Sequence, residues 1–209
     1  MKTLLICGIT GRMGGETARL APAYGFAPRA FAPEIREGVI VDFSHPDALP
    51  VLLESGLPLV IGTTGHSAAQ QAAIRESARK RPVFVASNFS PGVHALRQAA
   101  RLVKELLPGW EITLVERHHA QKQDAPGGTA RELARDAGLP ADRVFSLRAG
   151  TVSGLHELTF YGPEEALTLL HLAESRAVFA HGALRAARWL DRRPPGLYGM
   201  DDLLDVRKS

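Results

Sequence analysis

The chain has 209 residues, enough for one large domain or two small ones around a sizeable core. It is 45% hydrophobic and 22% charged, with 20 glycines and 14 prolines, the composition of an ordinary globular protein. The net charge is only +3, with no dense Lys/Arg run interleaved with aromatics to mark a nucleic-acid binder, and no apolar run nears the roughly 20 residues that span a membrane.

Cys7 is the only cysteine, which rules out an internal disulfide and a thiolate metal cage. Lying in an apolar strand, it reads as a small buried hydrophobe. The apolar stretch after Met1 meets Gly8 too early for a secretory signal core, so a cytoplasmic location is expected. Arg207-Lys208 reads as a solvated tail.

In chain order, Leu4 to Cys7 is a short apolar strand that leads through a glycine turn into a helix from about Gly14 to Leu20. Val39 to Phe43 is another strand, and a helix is expected from Pro46, since proline suits a first helical turn. Leu59 to Ile61 forms a strand, Ser67 caps a helix reaching Lys80, and Pro82 to Ala86 forms a further strand. Apolar runs alternating with helices predict a mainly parallel sheet covered on both faces. Beyond about Pro91 the pattern changes. A helix from about Val93 to Leu107 stops at Pro108-Gly109, Trp110 to Arg117 alternates as a strand, and Glu157–Tyr161 and Ala166–Ala173 read as antiparallel strands. Ala177 to Leu190 is helical. The expected fold class is α/β: a Rossmann-type doubly wound parallel sheet with a second, smaller α+β domain. The first domain spans residues 1–90 and is completed by 177–209; the second spans 91–176.

Gly8-Ile9-Thr10-Gly11-Arg12-Met13-Gly14 sits between strand and helix. Glycines there let the backbone turn tightly and approach a pyrophosphate, which the helix N-terminus favours. The spacing is G-x-x-G-x-x-G rather than G-x-G-x-x-G, and a bare strand–helix turn is the competing reading. Two further loops, Gly62-Thr63-Thr64-Gly65 and Ala86-Ser87-Asn88-Phe89, follow strand ends where doubly wound sheets bind ligands. No acid suited to an adenosine ribose is evident between Phe26 and Glu34, so NADH and NADPH both stay open.

The densest chemistry lies from Glu116 to Thr129: Glu-Arg-His-His-Ala-Gln-Lys-Gln-Asp-Ala-Pro-Gly-Gly-Thr. The stretch starts at a strand end and finishes at a helix start, where Thr129-Ala130-Arg131-Glu132 matches a capping box. N–H groups near Gly128 and Thr129 then face outward as a carboxylate site. His118, His119 and Lys122 supply donors near neutral pH and a fixed positive charge. Adjacent histidines on a strand point to opposite faces and no further ligand is helpfully spaced, so no metal is expected. An exposed polar loop before a capped helix is the plainer alternative.

The chain resembles the dihydrodipicolinate reductase family across nearly its whole length. The resemblance rests on Gly8-x-x-Gly11-Arg12-Met13-Gly14, Asp42-Phe43-Ser44-His45-Pro46, Gly62-Thr63-Thr64-Gly65, Asn88-Phe89-Ser90, His118-His119-x-x-Lys122-x-Asp124-Ala125-Pro126-x-Gly128-Thr129, Arg148-Ala149-Gly150 and Ser175-Arg176-x-x-Phe179-Ala180-x-Gly182-Ala183. It implies an NADH- or NADPH-dependent reduction of a small cyclic dicarboxylate, the dehydrated 4-hydroxy-tetrahydrodipicolinate, in lysine and diaminopimelate biosynthesis. His118 is implied as acid/base residue and Lys122 as proton donor, with His119, Gly128 and Thr129 holding substrate carboxylates. Gly8, Ile9, Thr10, Gly11, Arg12, Met13, Gly62, Thr63, Thr64, Ala86, Ser87, Asn88 and Phe89 are implied to line the cofactor. A homotetramer built through the open sheet of the second domain is implied as well.

Two features depart from the family pattern: Gly127 replaces a serine common in the family, and the stretch before Val39 is short. The other functions the residues allow are a dehydrogenase for a different substrate and a non-catalytic dinucleotide sensor. A sensor has no need of the His–His–Lys loop.

Overall fold

A computed structural model describes residues 1–204; Arg207 and Lys208 lie outside the described residues. Contacts divide the chain into two compact units, Met1–Phe89 with Ala177–Ser209, and Ser90–Arg176.

The first unit is built on a six-stranded sheet of β1 (Lys2–Cys7), β2 (Phe26–Ala30), β3 (Val39–Asp42), β4 (Leu59–Ile61), β5 (Pro82–Val85) and β10 (Gly196–Tyr198). Their order is β10-β5-β4-β3-β1-β2, and every pair is parallel. Strands β3 and β4 are buried at every residue, as the continuous runs of Val, Ile and Leu require when helices cover both faces. Successive residues feed opposite cores. Leu4, Ile6, Val41, Val60 and Phe84 pack on one face with Ala183, Leu184, Ala187 and Leu190 of α6 (Ala177–Leu190). Leu5, Ile40, Leu59, Ile61 and Val83 pack on the other with Leu49 and Leu52 of α2 (Leu49–Glu54) and Ile74 of α3 (Ala68–Ala78).

Several local readings meet the structure directly. Ser67 caps α3 in a reciprocal capping box with Gln70. Pro46 opens a 3-10 turn, Pro46–Ala48, before α2 begins at Leu49. Helix α1 (Arg12–Leu20) starts two residues earlier than the periodicity predicts. Strand β10 has only three residues, and its place at the sheet edge comes from pairing with β5 rather than from its own pattern.

The second unit has α4 (Pro91–Leu106), β6 (Glu111–His118), α5 (Gly128–Ala137), β7 (Val144–Arg148), β8 (Gly154–Gly162) and β9 (Glu165–Ala173). Its sheet order is β7-β6-β8-β9. Strands β8 and β9 are antiparallel as read, but β7 runs parallel to β6, so the sheet is mixed. On one face Leu114, Leu158 and Phe160 pack against Leu96 and Ala100 of α4 and Ala130 and Leu133 of α5. The two helices are joined by Arg97 to Glu132 (2.9 Å) and by Arg97 and Arg101 to Asp136 (2.5 and 2.6 Å). The opposite face carries Phe145, Leu147, Tyr161, Leu170 and Leu172, all exposed.

Candidate active site

In the first unit, all three loops picked out by sequence emerge at the C-terminal edge of the parallel sheet. Gly8 follows β1 with φ +80°, and a Cβ there would collide with the carbonyl oxygen of Phe43. Only glycine suits both the backbone angle and the approach. Gly8 accepts the N–H of Gly11 at 2.9 Å, closing the turn, and Gly11 is the N-cap of α1. Having no side chain, Gly11 leaves the first-turn N–H groups without a cap, and the first turn holds no acidic residue. These residues suit a dinucleotide diphosphate: a close-approach turn feeding an uncapped helix start.

The neighbouring loops are tied together. Asp42, 1% exposed at the end of β3, accepts the Ser44 N–H (3.1 Å) and hydroxyl (2.5 Å). The Thr63 hydroxyl accepts from the Ser44 N–H at 2.9 Å, so part of its hydrogen-bonding capacity is spent inside the protein. Met13, Phe43, Ser44, Gly62, Thr63 and Thr64 border an open cleft of about 450 Å³. Phe89 is 2% exposed and packs against Phe84 and Phe43, which leaves only its backbone for a ligand. Arg12 is exposed beside the turn. Cys7 is half-buried rather than sealed in the core, with its thiol donating to Ser44 Oγ at 3.4 Å. Burial pushes that thiol up.

In the second unit, the period of β6 sends Ile112, Leu114, Glu116 and His118 to the helix-covered face and Arg117 outward. A carboxylate at an inward position of an apolar strand must find partners, because an unpaired buried charge is costly. Glu116 is completely buried and finds three on one oxygen. Oε1 accepts the Gly127 N–H (2.9 Å), the Ser146 hydroxyl (2.7 Å) and Arg148 Nη2 (2.5 Å). Burial pushes this carboxyl up, but the nearby His118 and the hydrogen bonds from Arg148, Ser146 and Gly127 outweigh it and hold the group well below the usual carboxylate range.

The other oxygen, Oε2, lies 3.5 Å from His118 Nε2 and 3.9 Å from His156 Nε2. These separations are those of charge contacts rather than well-formed hydrogen bonds. His118 Nδ1 stands 3.0 Å from the Ser153 carbonyl, which only accepts, so Nδ1 carries a proton. The His118 and His156 rings meet edge to face at 5.4 Å. Burial, and then the charge of His118, push His156 down to about 4, so it is neutral at physiological pH.

The loop after β6 carries the remaining predicted residues. His119 Nε2 faces Arg176 Nη2 at 3.4 Å, and the Lys122 N–H donates to the His119 carbonyl. Lys122 pairs with Asp124, whose carboxyl it holds below the usual range. The helix start differs from the capping-box reading. Gly127, with φ −69° and ψ 167°, is the N-cap, and α5 begins at Gly128, so Thr129 lies inside the first turn. The reason is the tether of the Gly127 N–H to Glu116. A Cβ at this position would come within 2.9 Å of Glu116 Oε2 and 3.2 Å of Lys122 Nζ. Gly128 is exposed and no cap side chain answers the turn.

Sequence reasoning gave no role to Glu116, Ser146, Arg148, Ser153 or His156. For Glu116 the signal was available, as an acid in phase with Ile112 and Leu114. Glu116, His118 and His156 also form a metal-type trio, with ligand atoms within 4.8 Å of one another, which linear spacing did not foretell. The Arg148 guanidinium already gives that carboxylate a cationic partner.

Comparison with known proteins decides the family. Residues 28–89 match the model for the dihydrodipicolinate reductase N-terminus, and residues 92–204 match that for its C-terminus. The chain belongs to the dihydrodipicolinate reductase family. It is 41% identical to 4-hydroxy-tetrahydrodipicolinate reductase of Rubrobacter xylanophilus over 82% of this chain and 75% of that one. Identity to the enzyme of Caldanaerobacter subterraneus is 33%, covering 98% of both. Dihydrodipicolinate reductase from Paenisporosarcina sp. TG-14, solved with dipicolinate bound, shares the fold with a TM-score of 0.79 at 22% identity, covering 98% of this chain and 100% of that one. GenD2 from gentamicin A biosynthesis, solved with NAD, aligns with a TM-score of 0.56 at 16% identity over 98% and 86% of the two chains. This dihydrodipicolinate reductase family member is thus an oxidoreductase of lysine and diaminopimelate biosynthesis, with the 4-hydroxy-tetrahydrodipicolinate reductase activity and the fold of NAD(P)-binding dehydrogenases. Among the described residues, no helix is long and apolar enough to cross a membrane.

Proposed function

We propose that the loop from His118 to Thr129 holds the cyclic dicarboxylate and protonates it. The observation that carries this reading is the buttressed His118 on the same loop as Lys122 and a glycine-capped helix start. The N–H groups opening α5, with His119 and Thr129, receive a substrate carboxylate. Lys122 exchanges its Asp124 partner for substrate charge. Holding the ring against fixed donors removes much of the bimolecular entropy cost.

Gly8 to Met13, Gly62 to Thr64 and Ala86 to Phe89 line NADH or NADPH. The reduced nicotinamide supplies the hydride. His118 or Lys122 supplies the proton that completes reduction of the conjugated system, giving tetrahydrodipicolinate. Residues 1–90 with 177–209 serve as the dinucleotide-binding domain, and 91–176 as the substrate-binding and tetramerisation domain. The exposed apolar face around Phe145, Leu147, Leu170 and Leu172 is the face through which a homotetramer forms in the cytoplasm.

The test monitors NADH and NADPH oxidation separately, with freshly generated dihydrodipicolinate synthase product as substrate. Lys122→Ala is expected to lower kcat by about 100-fold or more while coenzyme affinity stays within about twofold. Unchanged turnover in Lys122→Ala removes the role assigned to that residue.

A further inference from the structure

Arg148, Ser146, His118, His156 and Lys122 surround Glu116 in the second unit, and the proposed mechanism uses only His118 and Lys122 of them. Behind the carboxylate, Arg148 and Ser146 from β7 and the Gly127 N–H all bind Oε1. In front, Oε2 makes no hydrogen bond and faces His118 Nε2 and His156 Nε2. His156 is 4% exposed, and neither ring nitrogen has a hydrogen-bond partner. His171 of β9 stands opposite it in register and donates to or accepts from Ser90 at 3.2 Å. Lys122 closes the remaining side, with Nζ across the space beside Gly127.

This arrangement distinguishes between the forms of His118. Because Nδ1–H is committed to the Ser153 carbonyl, the neutral ring presents a lone pair at Nε2. A lone pair aimed at an ionised carboxylate oxygen 3.5 Å away is repelled, whereas an Nε2–H there is attracted. Rotating the carboxylate to escape would break the three bonds at Oε1, and flipping the ring would break the bond to Ser153. His156, crowded by His118 and buried, stays neutral and does not compete for the charge.

We propose that Glu116 is a positioning residue for the reduction: clamped by Arg148 and Ser146, it fixes the His118 ring and provides the counter-charge for its doubly protonated, proton-donating form. The proposal rests on His118 being the acid proposed above. Glu116 touches no substrate in this role; it acts through the imidazole, as the orienting carboxylate of a catalytic histidine does.

Glu116→Gln tests it. The amide oxygen can still accept at the Oε1 position, while the NH₂ group then faces His118 Nε2 and favours a lone pair there. The kcat/KM–pH profile is expected to lose activity from a pH at least about one unit lower on its alkaline side, with kcat near pH 7.5 falling roughly tenfold or more. KM for the coenzyme should stay unchanged, and Glu116→Asp should restore part of the alkaline limb. A Glu116→Gln profile that is scaled down uniformly, with its alkaline limb in place, overturns the proposal. His118→Ala separates the two readings. Full activity in His118→Ala removes the acid itself, whereas lost activity there with an unmoved Glu116→Gln profile removes only Glu116. If Glu116→Gln does not fold, ¹⁵N-histidine NMR of the unmodified enzyme decides. Protons on both His118 nitrogens near pH 7 support the proposal, and a neutral Nδ1–H ring at that pH overturns it.

Discussion

Removing Arg148 isolates the charge on which the second unit is organised. Arg148→Met keeps the length and apolar body of the side chain but deletes the guanidinium that binds Glu116 Oε1 at 2.5 Å. Glu116 is wholly buried and the Arg148 side chain is 16% exposed, so solvent screens this pair little. Breaking such a pair from one side costs about 3–5 kcal/mol, because the remaining charge has no equivalent partner. Ser146 and Gly127 still donate, which places the expectation at the lower end, about 3 kcal/mol at pH 7.5. The pH dependence has a definite sign. In the parent the folded carboxyl lies below its ordinary 4.5, so the stability from this group is present above about pH 4.5 and is lost only as pH falls through the depressed folded value. In Arg148→Met the carboxyl loses one of the groups that hold it down, while Ser146, Gly127 and His118 stay, so its folded value moves back toward 4.5 and the penalty is undiminished at neutral pH. Urea unfolding at pH 7.5, in a Trp189→Phe background that leaves Trp110 of the second unit as reporter, measures the loss. A loss below about 1 kcal/mol at pH 7.5 refutes the reasoning.

Three further outcomes are expected. His156 has a folded value of about 4 against an ordinary 6.5, so the unfolded chain takes the proton first and the second unit loses up to about 3 kcal/mol as pH falls from 6.5 to 4. His156→Gln should flatten that part of the stability–pH curve, and an unaltered slope would place the acid sensitivity elsewhere. Gly8→Ala should cost roughly 1–3 kcal/mol in thermal unfolding and weaken NADH binding by calorimetry, because φ +80° and the Phe43 carbonyl leave no room for a Cβ. Normal binding in a folded Gly8→Ala protein would mean the turn is no cofactor cradle. If the proposed tetramer forms through the exposed apolar face, Leu170→Asp combined with Leu172→Asp should shift sedimentation to smaller species with folding intact, and an assembly unchanged by the pair would acquit that face.

Much of the fold was legible because its signals are local. Val39–Asp42 and Leu59–Ile61 are continuous apolar runs, and such runs between helices fit few architectures besides a covered parallel sheet. Ser67 and Gln70 carry their own capping geometry, and α6 spans Ala177–Leu190, the run of residues its pattern marks out. Strand β7 alternates Phe145 and Leu147 with Ser146 and Arg148 in too short a stretch to announce its direction, and only pairing with β6 makes it parallel. The start of α5 was misread by two residues because Thr129-x-x-Glu132 is a valid local cap. A bond from Gly127 to Glu116, eleven residues away, takes precedence over it.

The sequence by itself determined the family, the doubly wound first sheet and the loop carrying His118, His119 and Lys122, since each depends on residue order or short-range periodicity. Only the tertiary structure decided what surrounds His118. Glu116, Arg148, Ser153 and His156 come from three different strands and the turn between two of them, and sheet register alone brings them within contact. A buried carboxylate can hold its charge only where donors converge on it, and that convergence is a property of the packed sheet, not of any one segment.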